Sequence, residues 1–384
     1  MKLDLATGEE GEVIAKDDEY DFGSPIFSEK RRELVGVQYN RDRVSYEPLD
    51  EDFAKHMENL RKIEEGDIII ADSDDDENKF IVGFSSPTKP LVVNLYNKDT
   101  GKAEFLYTGR PKLKSEDLAD MLPISYKTRD GLTIHGYLTL PKGKPAKDLP
   151  LIVNVHGGPW VRDSYGYDPE VQFWANRGYA VLQVNFRQST GYGKEFLEAG
   201  YKERGRKMLF DVVDGAQWAG DQGIADPNIL IVYGCSYGGY ATLSALAFQP
   251  DVFKAGVNIV GPSNLFTLFE SIPEKWHLFR EEMYMRVGHP EKDKEMLRER
   301  SPVFHAENIK APLFIAHGAN DQRVKLAEAE QIVEAMKANG LEYELLVKED
   351  DGHGFLNANN RIDFYERVEE FLNKHILNKE SDPS

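Results

Sequence analysis

Six short apolar runs constrain this chain more than any other feature: Leu151–Val155, Ala180–Val184, Ile229–Val232, Ala255–Val260, Leu313–Ala316 and Glu344–Val347. They are rich in Val, Ile and Leu and apolar on both parities. A strand with one wet face would alternate, so these runs read as parallel strands buried on both faces. Amphipathic stretches lie between them. Leu326, Ala329, Val333 and Met336 step by three, four and three, and that stretch ends at Asn339-Gly340, a helix stop. Phe364, Val368, Phe371 and Leu372 give the last stretch its apolar face. Alternation of this kind predicts a doubly wound, mostly parallel α/β sheet. Just before it, Ile124–Thr128 and Leu132–Leu140 flank Arg129-Asp130-Gly131, a hairpin signal.

Upstream of about residue 115 the texture differs. Leu34–Tyr39, Asp67–Ala71, Lys79–Phe84 and Leu91–Leu95 are β-type runs separated by polar turns, the spacing of an all-β meander. The turn Asp72-Ser-Asp-Asp-Asp-Glu77 starts like a calcium loop. It carries Glu77 where that loop needs Gly and Gly83 where it needs Glu, so it reads as a solvated acidic hairpin tip. The expected organisation is a β-rich segment over 1–115, an α/β domain over 116–378 and a polar tail over 379–384.

Composition narrows the function. A formal charge of −19 argues against nucleic acid or an anionic membrane as the main partner. No run approaches the ~18 apolar residues of a membrane span. The opening MKLDLATGEEGEV has no apolar core and is acidic from Asp4, which does not fit a signal peptide. The single cysteine, Cys235, requires no oxidising compartment. The expectation is a soluble, cytoplasmic protein.

The chemistry concentrates at Gly234-Cys-Ser-Tyr-Gly238. An apolar strand runs into it and a small-residue helix, from Ala241, runs out. That context makes G-x-S-x-G a nucleophile elbow, which lifts a serine hydroxyl above the sheet. A serine needs a base, and the elbow fold orders its partners as serine, acid, histidine. Asp321 follows the strand Leu313–Ala316, and His353, between glycines, follows Glu344–Val347. His156 and His317 compete with His353. The first precedes the serine, and the second lies too near Asp321 in the chain. Asp350 and Asp351 compete with Asp321 but adjoin His353. His56, His277, His289, His305 and His375 read as surface or local structural residues. His156-Gly-Gly-Pro159, after its own strand, offers a backbone N–H to a developing oxyanion, with a plain glycine turn as the alternative. The Tyr237 N–H, at a helix start, would be the second donor. Cys235 is expected to pack into the elbow as an inert thiol.

Together GCSYGGYATL, HGGP, NFRQSTGYG (Asn185–Gly193), HGANDQRV (His317–Val324) and DGHGF (Asp351–Phe355) resemble the prolyl oligopeptidase family of serine peptidases. The acylaminoacyl and dipeptidyl peptidase branches are the most similar. The resemblance spans about residues 120–378. It implies an α/β-hydrolase that cleaves short peptides through an acyl-enzyme, with no metal or organic cofactor. It implies Ser236, Asp321 and His353 as the triad and Gly158 and Tyr237 as the oxyanion hole. It also implies that Arg323 contacts a substrate carbonyl, with a surface salt bridge as the alternative. Leu265, Leu268 and Val324 would line an apolar pocket, or belong to the core.

Two departures stand out. Gln188 occupies a position where the family usually has glycine. The segment before the hydrolase resembles only the end of a β-propeller, between two and three blades at ~40–45 residues each. An open blade edge is a surface that a second chain could cover, so a homo-oligomer is among the expectations. A carboxylesterase on the same fold and an inactive scaffold fragment are the competing readings.

Overall fold

The computed structural model describes residues 1–272 and 276–377; the tail expected at 379–384 lies outside the described residues. Contacts divide the chain into two units. One comprises Met1–Met121, Ser164–Asn176 and Thr190–Lys194, and the other Leu122–Asp163, Arg177–Ser189 and Glu195–Ser384.

The first unit carries two antiparallel sheets. One is β1 (Phe22–Ser28), β2 (Glu33–Asn40) and β3 (Val44–Pro48), in chain order. The other is β4 (Asp67–Ser73), β5 (Lys79–Ser86), β6 (Lys89–Asn97) and β7 (Lys102–Thr108), also in chain order. The second sheet has the size of a single propeller blade. The expected meander is interrupted by a helix, α1 (Glu51–Leu60). The Asp50 carboxylate caps it by accepting the Phe53 N–H at 2.7 Å. Phe53, Met57 and Leu60 then point inward and pack with Val35, Tyr46, Ile68, Val82, Phe84 and Tyr96. The acidic run is a hairpin tip between β4 and β5. Asp74 accepts the N–H groups of Asn78 and Lys79 at 2.8 and 3.0 Å, and Glu77 accepts the Ser28 hydroxyl at 2.6 Å.

The larger sheet has eight strands: β8 (Met121–Lys127), β9 (Thr133–Thr139), β10 (Leu149–Val155), β11 (Ala180–Asn185), β12 (Ala225–Cys235), β13 (Ala255–Ile259), β14 (Leu313–Gly318) and β15 (Tyr343–Lys348). Their order is β15-β14-β13-β12-β10-β11-β9-β8. Neighbours from β11 across to β15 are parallel, and β9 joins β11 antiparallel. The six apolar runs fall on β10–β15, and β11 and β13 are buried along their whole length, but the expected burial on both faces fails at β15, the end strand, where Leu345 is 40% exposed. The remaining helices are α2 (Pro169–Asn176), α3 (Gly193–Glu198), α4 (Lys207–Asp221), α5 (Tyr237–Phe248), α6 (Leu265–Ser271), α7 (His277–Arg286), α8 (Lys294–Glu299), α9 (Ala327–Ala338) and α10 (Ala358–Leu372). Helices α4, α5, α9 and α10 pack on this sheet.

Strand β10 has its successor β11 on one side and β12 on the other. The order reverses there, and such a switch point opens a crevice at the carboxyl ends of the two strands. The loop after β10 holds His156-Gly-Gly, and the turn after β12 holds Ser236.

Candidate active site

Ser236 ends β12 and opens α5. Its backbone stands at φ +59° and ψ −116°, a conformation costly for a residue with a side chain. The surroundings hold it there. Its N–H donates to the Ile259 carbonyl at 2.8 Å, and its carbonyl accepts the Tyr240 N–H at 3.0 Å. Close packing makes Gly238 necessary, because a β-carbon there would run into the Val155 carbonyl. At Gly234 it would meet the backbone of Gly238. Helix α5 is buried on every side, so its small residues let it sit against β10, β12 and β13.

His353 Nδ1–H donates to Asp321 Oδ2 at 2.7 Å, and the Ser236 hydroxyl donates to His353 Nε2 at 3.0 Å. Neighbouring strands supply the two partners, since β14 and β15 pair to their ends at Gly318 and Lys348. Beyond them the Asn320 N–H donates to the Asp351 carbonyl at 2.9 Å, which ties one loop to the other. Gly318 permits this approach: a β-carbon there would strike the backbone of Asp351 and Gly352. Asp321 is 2% exposed. Burial alone would raise its pKa. Hydrogen bonds from His353 and from the N–H groups of Val324 and Arg323 outweigh that and hold it below the usual carboxylate value.

The rival residues have other tasks. Asp351 accepts the N–H groups of Leu356 and Asn357 at 3.0 and 3.2 Å, shaping the turn into α10. His317 is fully buried, and its Nε2–H donates to the Val324 carbonyl at 2.9 Å behind Asp321. His156 Nδ1 lies 2.7 Å from the Gly157 carbonyl oxygen and its Nε2 2.9 Å from Ser189 Oγ, while the Ser189 hydroxyl donates to the Phe186 carbonyl at 2.7 Å. Burial pulls this ring down to about 4, so it is neutral at physiological pH. Cys235 is only half-buried, so it does not pack fully into the elbow as expected.

A cavity of about 280 Å³ adjoins the serine. Gly158 and Tyr237 line it with Ser236 and His353. Val155 pairs with Gly234, which sets the His156-Gly-Gly loop beside the elbow. Gly158 stands at φ +106°, open to glycine alone in practice. The Tyr237 N–H, first in α5, has no acceptor within its own helix. Arg323 and Val324 are on the cavity wall, and Arg323 forms no ion pair among the described residues. Leu268 is on the wall too. Leu265 is not: it is fully buried, and its N–H donates to Ser301 Oγ at 3.0 Å. That bond and the N-cap of Asn264 on the Phe266 N–H anchor the start of α6, so its first residue points into the core.

Sequence reasoning passed over further residues of the wall, among them Trp160, Arg204, Ile272, Trp276, Phe279 and Met283. Trp160 directly follows His156-Gly-Gly-Pro159 and could have been found from that position. Trp276 and Phe279 stand out as large apolar residues in a polar stretch, at 47% and 36% exposure. Arg204 carried no signal, because nothing in its neighbourhood in the chain marks it as buried.

The sheet order, the strained turn at its switch point and the Ser–His–Asp hydrogen-bond chain define an α/β-hydrolase. Residues 165–379 match the prolyl oligopeptidase family, and this chain belongs to that family of serine peptidases. It is 42% identical over 379 residues to dipeptidyl aminopeptidase BIII of Pseudoxanthomonas mexicana, a match over 96% of this chain and 55% of that protein. It is 39% identical to dipeptidyl peptidase family member 6 of Caenorhabditis elegans, over 83% of this chain and 46% of the relative. The solved structure of an acylaminoacyl peptidase in complex with Z-Gly-Gly-Phe-chloromethyl ketone superposes with a TM-score of 0.76 at 25% identity, covering 98% of this chain and 59% of that one. The chain thus spans about half the length of the relatives it matches.

Proposed function

We propose that this chain is the catalytic part of a serine peptidase that cleaves short peptides. The observation that carries the reading is the hydrogen-bond chain from Ser236 through His353 to Asp321, at 3.0 and 2.7 Å. Ser236 Oγ attacks the scissile carbonyl and its proton passes to His353 Nε2. Asp321 keeps the ring in the tautomer that can receive it and stabilises the imidazolium. The oxyanion forms toward the N–H groups of Gly158 and Tyr237, and the α5 N-terminus adds its dipole. One such donor is worth roughly 3–4 kcal/mol to a transition state. His353 then returns the proton to the leaving amine, leaving an acyl-enzyme that water hydrolyses by the same steps.

A carboxylesterase would use the same groups. Arg323 favours the peptidase, as an exposed guanidinium at the cavity without an ion pair among the described residues, a charge-assisted donor for a peptide carbonyl. A cytoplasmic location is compatible with the single cysteine, which requires no oxidising compartment, and among the described residues no helix is long and apolar enough to cross a membrane.

The test is active-site labelling with a fluorophosphonate, read by intact mass. One adduct on the native chain and none on Ser236→Ala is the expected outcome. A folded, monodisperse chain that takes no label would overturn the reading in favour of a scaffold. The same preparation, unlabelled, should cleave p-nitrophenyl esters as well as short peptides, and peptide cleavage with esters untouched would contradict this expectation.

A further inference from the structure

Arg204, between α3 and α4, is 4% exposed, and what it exposes opens on the cavity beside Ser236. Its Nε has no hydrogen-bond partner, and its guanidinium forms no ion pair or hydrogen bond among the described residues. It rests instead over the rings of Tyr237 and Trp160, with centroids 5.1 and 5.9 Å away. Arg187 shows how this fold treats a buried arginine elsewhere. At 3% exposure, it binds Asp211 and Asp130 at 2.8 Å each. Arg286, 4.5 Å from the centroid of the Trp160 ring, has Glu282 as its ion partner. Arg204 alone of these three lacks a carboxylate among the described residues.

A charge buried without a partner costs several kcal/mol, and proteins seldom keep one without use. Burial lowers the pKa of Arg204, yet an arginine stays protonated at neutral pH. Trp160 adds a second buried donor, because its indole N–H has no partner either. This part of the wall therefore offers donors and no acceptor. Leu268, Ile272, Phe279 and Met283 add apolar wall, which strengthens any charge–charge contact formed beside them, while Ser271, Gln322 and the second guanidinium, Arg323, are polar. The group that fits is acceptor-only, negatively charged and planar: a carboxylate, which a guanidinium grips with two parallel bonds. The chain's charge of −19 repels anions at long range, but salt screens that beyond about 8–10 Å and does little to a buried pair.

We propose that Arg204 and the Trp160 indole N–H form a carboxylate subsite in the cavity of Ser236, so that the preferred substrate carries an acidic side chain or a free C-terminal carboxylate there. The proposal rests on the reading of Ser236 as the nucleophile. Two substrate pairs separate the sources of the carboxylate. One is Gly-Glu- against Gly-Gln-amidomethylcoumarin, and the other is Gly-Phe-Gly as free acid against its amide. The full chain should favour the carboxylate member of at least one pair in kcat/KM by about ten- to a hundredfold, the worth of hydrogen bonds to a charged group. That ratio should fall to near one in Arg204→Met and survive in part in Arg204→Lys, which keeps the charge without the fork. Calorimetry of the same peptides on Ser236→Ala gives the preference without catalysis. Ratios near one in both pairs, for a chain that takes the fluorophosphonate label, would overturn the subsite and leave the nucleophile standing. An unchanged ratio in folded Arg204→Met would overturn it too. A chain that takes no label yet binds the carboxylate peptides more tightly would keep the subsite and lose the nucleophile. Should Arg204→Met not fold, the native ratios and the calorimetry still decide.

Discussion

At the scale of single residues, the site works by assigning each titratable group one task. His353 and His317 both lie within reach of Asp321, but His317 spends its Nε2–H on the Val324 carbonyl, and only His353 faces the serine. His156 is the residue to read by pH. Its folded value of about 4 lies below the ordinary 6.5 because burial disfavours the charged ring. The unfolded chain therefore binds a proton that the folded chain refuses between those values. The stability His156 contributes is fully present above pH 6.5 and is lost as pH falls toward 4. Wild type should lose more stability over that window than His156→Gln, as read from denaturant midpoints at pH 7 and pH 4.5. His156 as a residue is half-buried, so the loss should be smaller than full burial would give. Parallel pH curves for the two proteins would contradict this.

At the scale of elements, strand ends do the positioning and loops carry the compromises. The loop after β11 is the clearest compromise. Gln188 there stands at φ +83°, fully buried, with neither amide atom hydrogen-bonded. Its β-carbon presses on Gly200, where a side chain would not fit. The loop is held regardless. Arg187 bonds to Asp211 and Asp130, and the Gln188 N–H donates to the Phe196 carbonyl at 3.1 Å. Burial opposes the Arg187 charge, but its two carboxylates outweigh that and keep the guanidinium protonated. Glycine at 188 would relieve the left-handed backbone, about 1 kcal/mol, and remove an unsatisfied amide worth about 1–3 kcal/mol. The lost packing and the freer unfolded chain offset part of that. Gln188→Gly should therefore raise stability by about 1–2 kcal/mol in denaturant melts, and a lower midpoint would show that the amide has a partner such as a buried water.

At the scale of the whole molecule, the first unit leaves apolar surface exposed. β7 is an end strand of its sheet, and Phe105, Leu106 and Tyr107 on it are 60, 42 and 56% exposed. A strand edge with such side chains is a template for pairing. The net charge of −19 opposes self-association at low salt, and added salt screens it. The isolated chain should sediment as larger species at higher concentration, more so at 0.5 M than at 0.05 M salt. Phe105→Lys with Tyr107→Lys should shift it toward monomer. A monomer at every salt and concentration would mean that this edge is not sticky.

The class of the large sheet, mostly parallel strands alternating with helices, was legible without coordinates, as was the candidate set Ser236, Asp321 and His353; the strand order was not. Both-face burial leaves strands apolar on both parities, and a strained turn demands small residues around its serine. The chain order of Ser236, Asp321 and His353 follows from the same fold. Helix α1 was legible in principle, in the Asp50 cap and the spacing of Phe53, Met57 and Leu60, but strand-like runs on both sides hid it. Other facts needed the tertiary structure. Leu265 and Leu268 are three residues apart on one helix, yet the first is core and the second wall, because the anchored start of α6 decides which way each points. Arg204 looks like any surface arginine in a charged stretch, and only its packing against Tyr237 and Trp160 shows it buried. Local pattern determines strands, turns and the residue types that chemistry requires. Which side chains from distant segments meet in one cavity, and which charge is left without a partner there, is decided by packing alone.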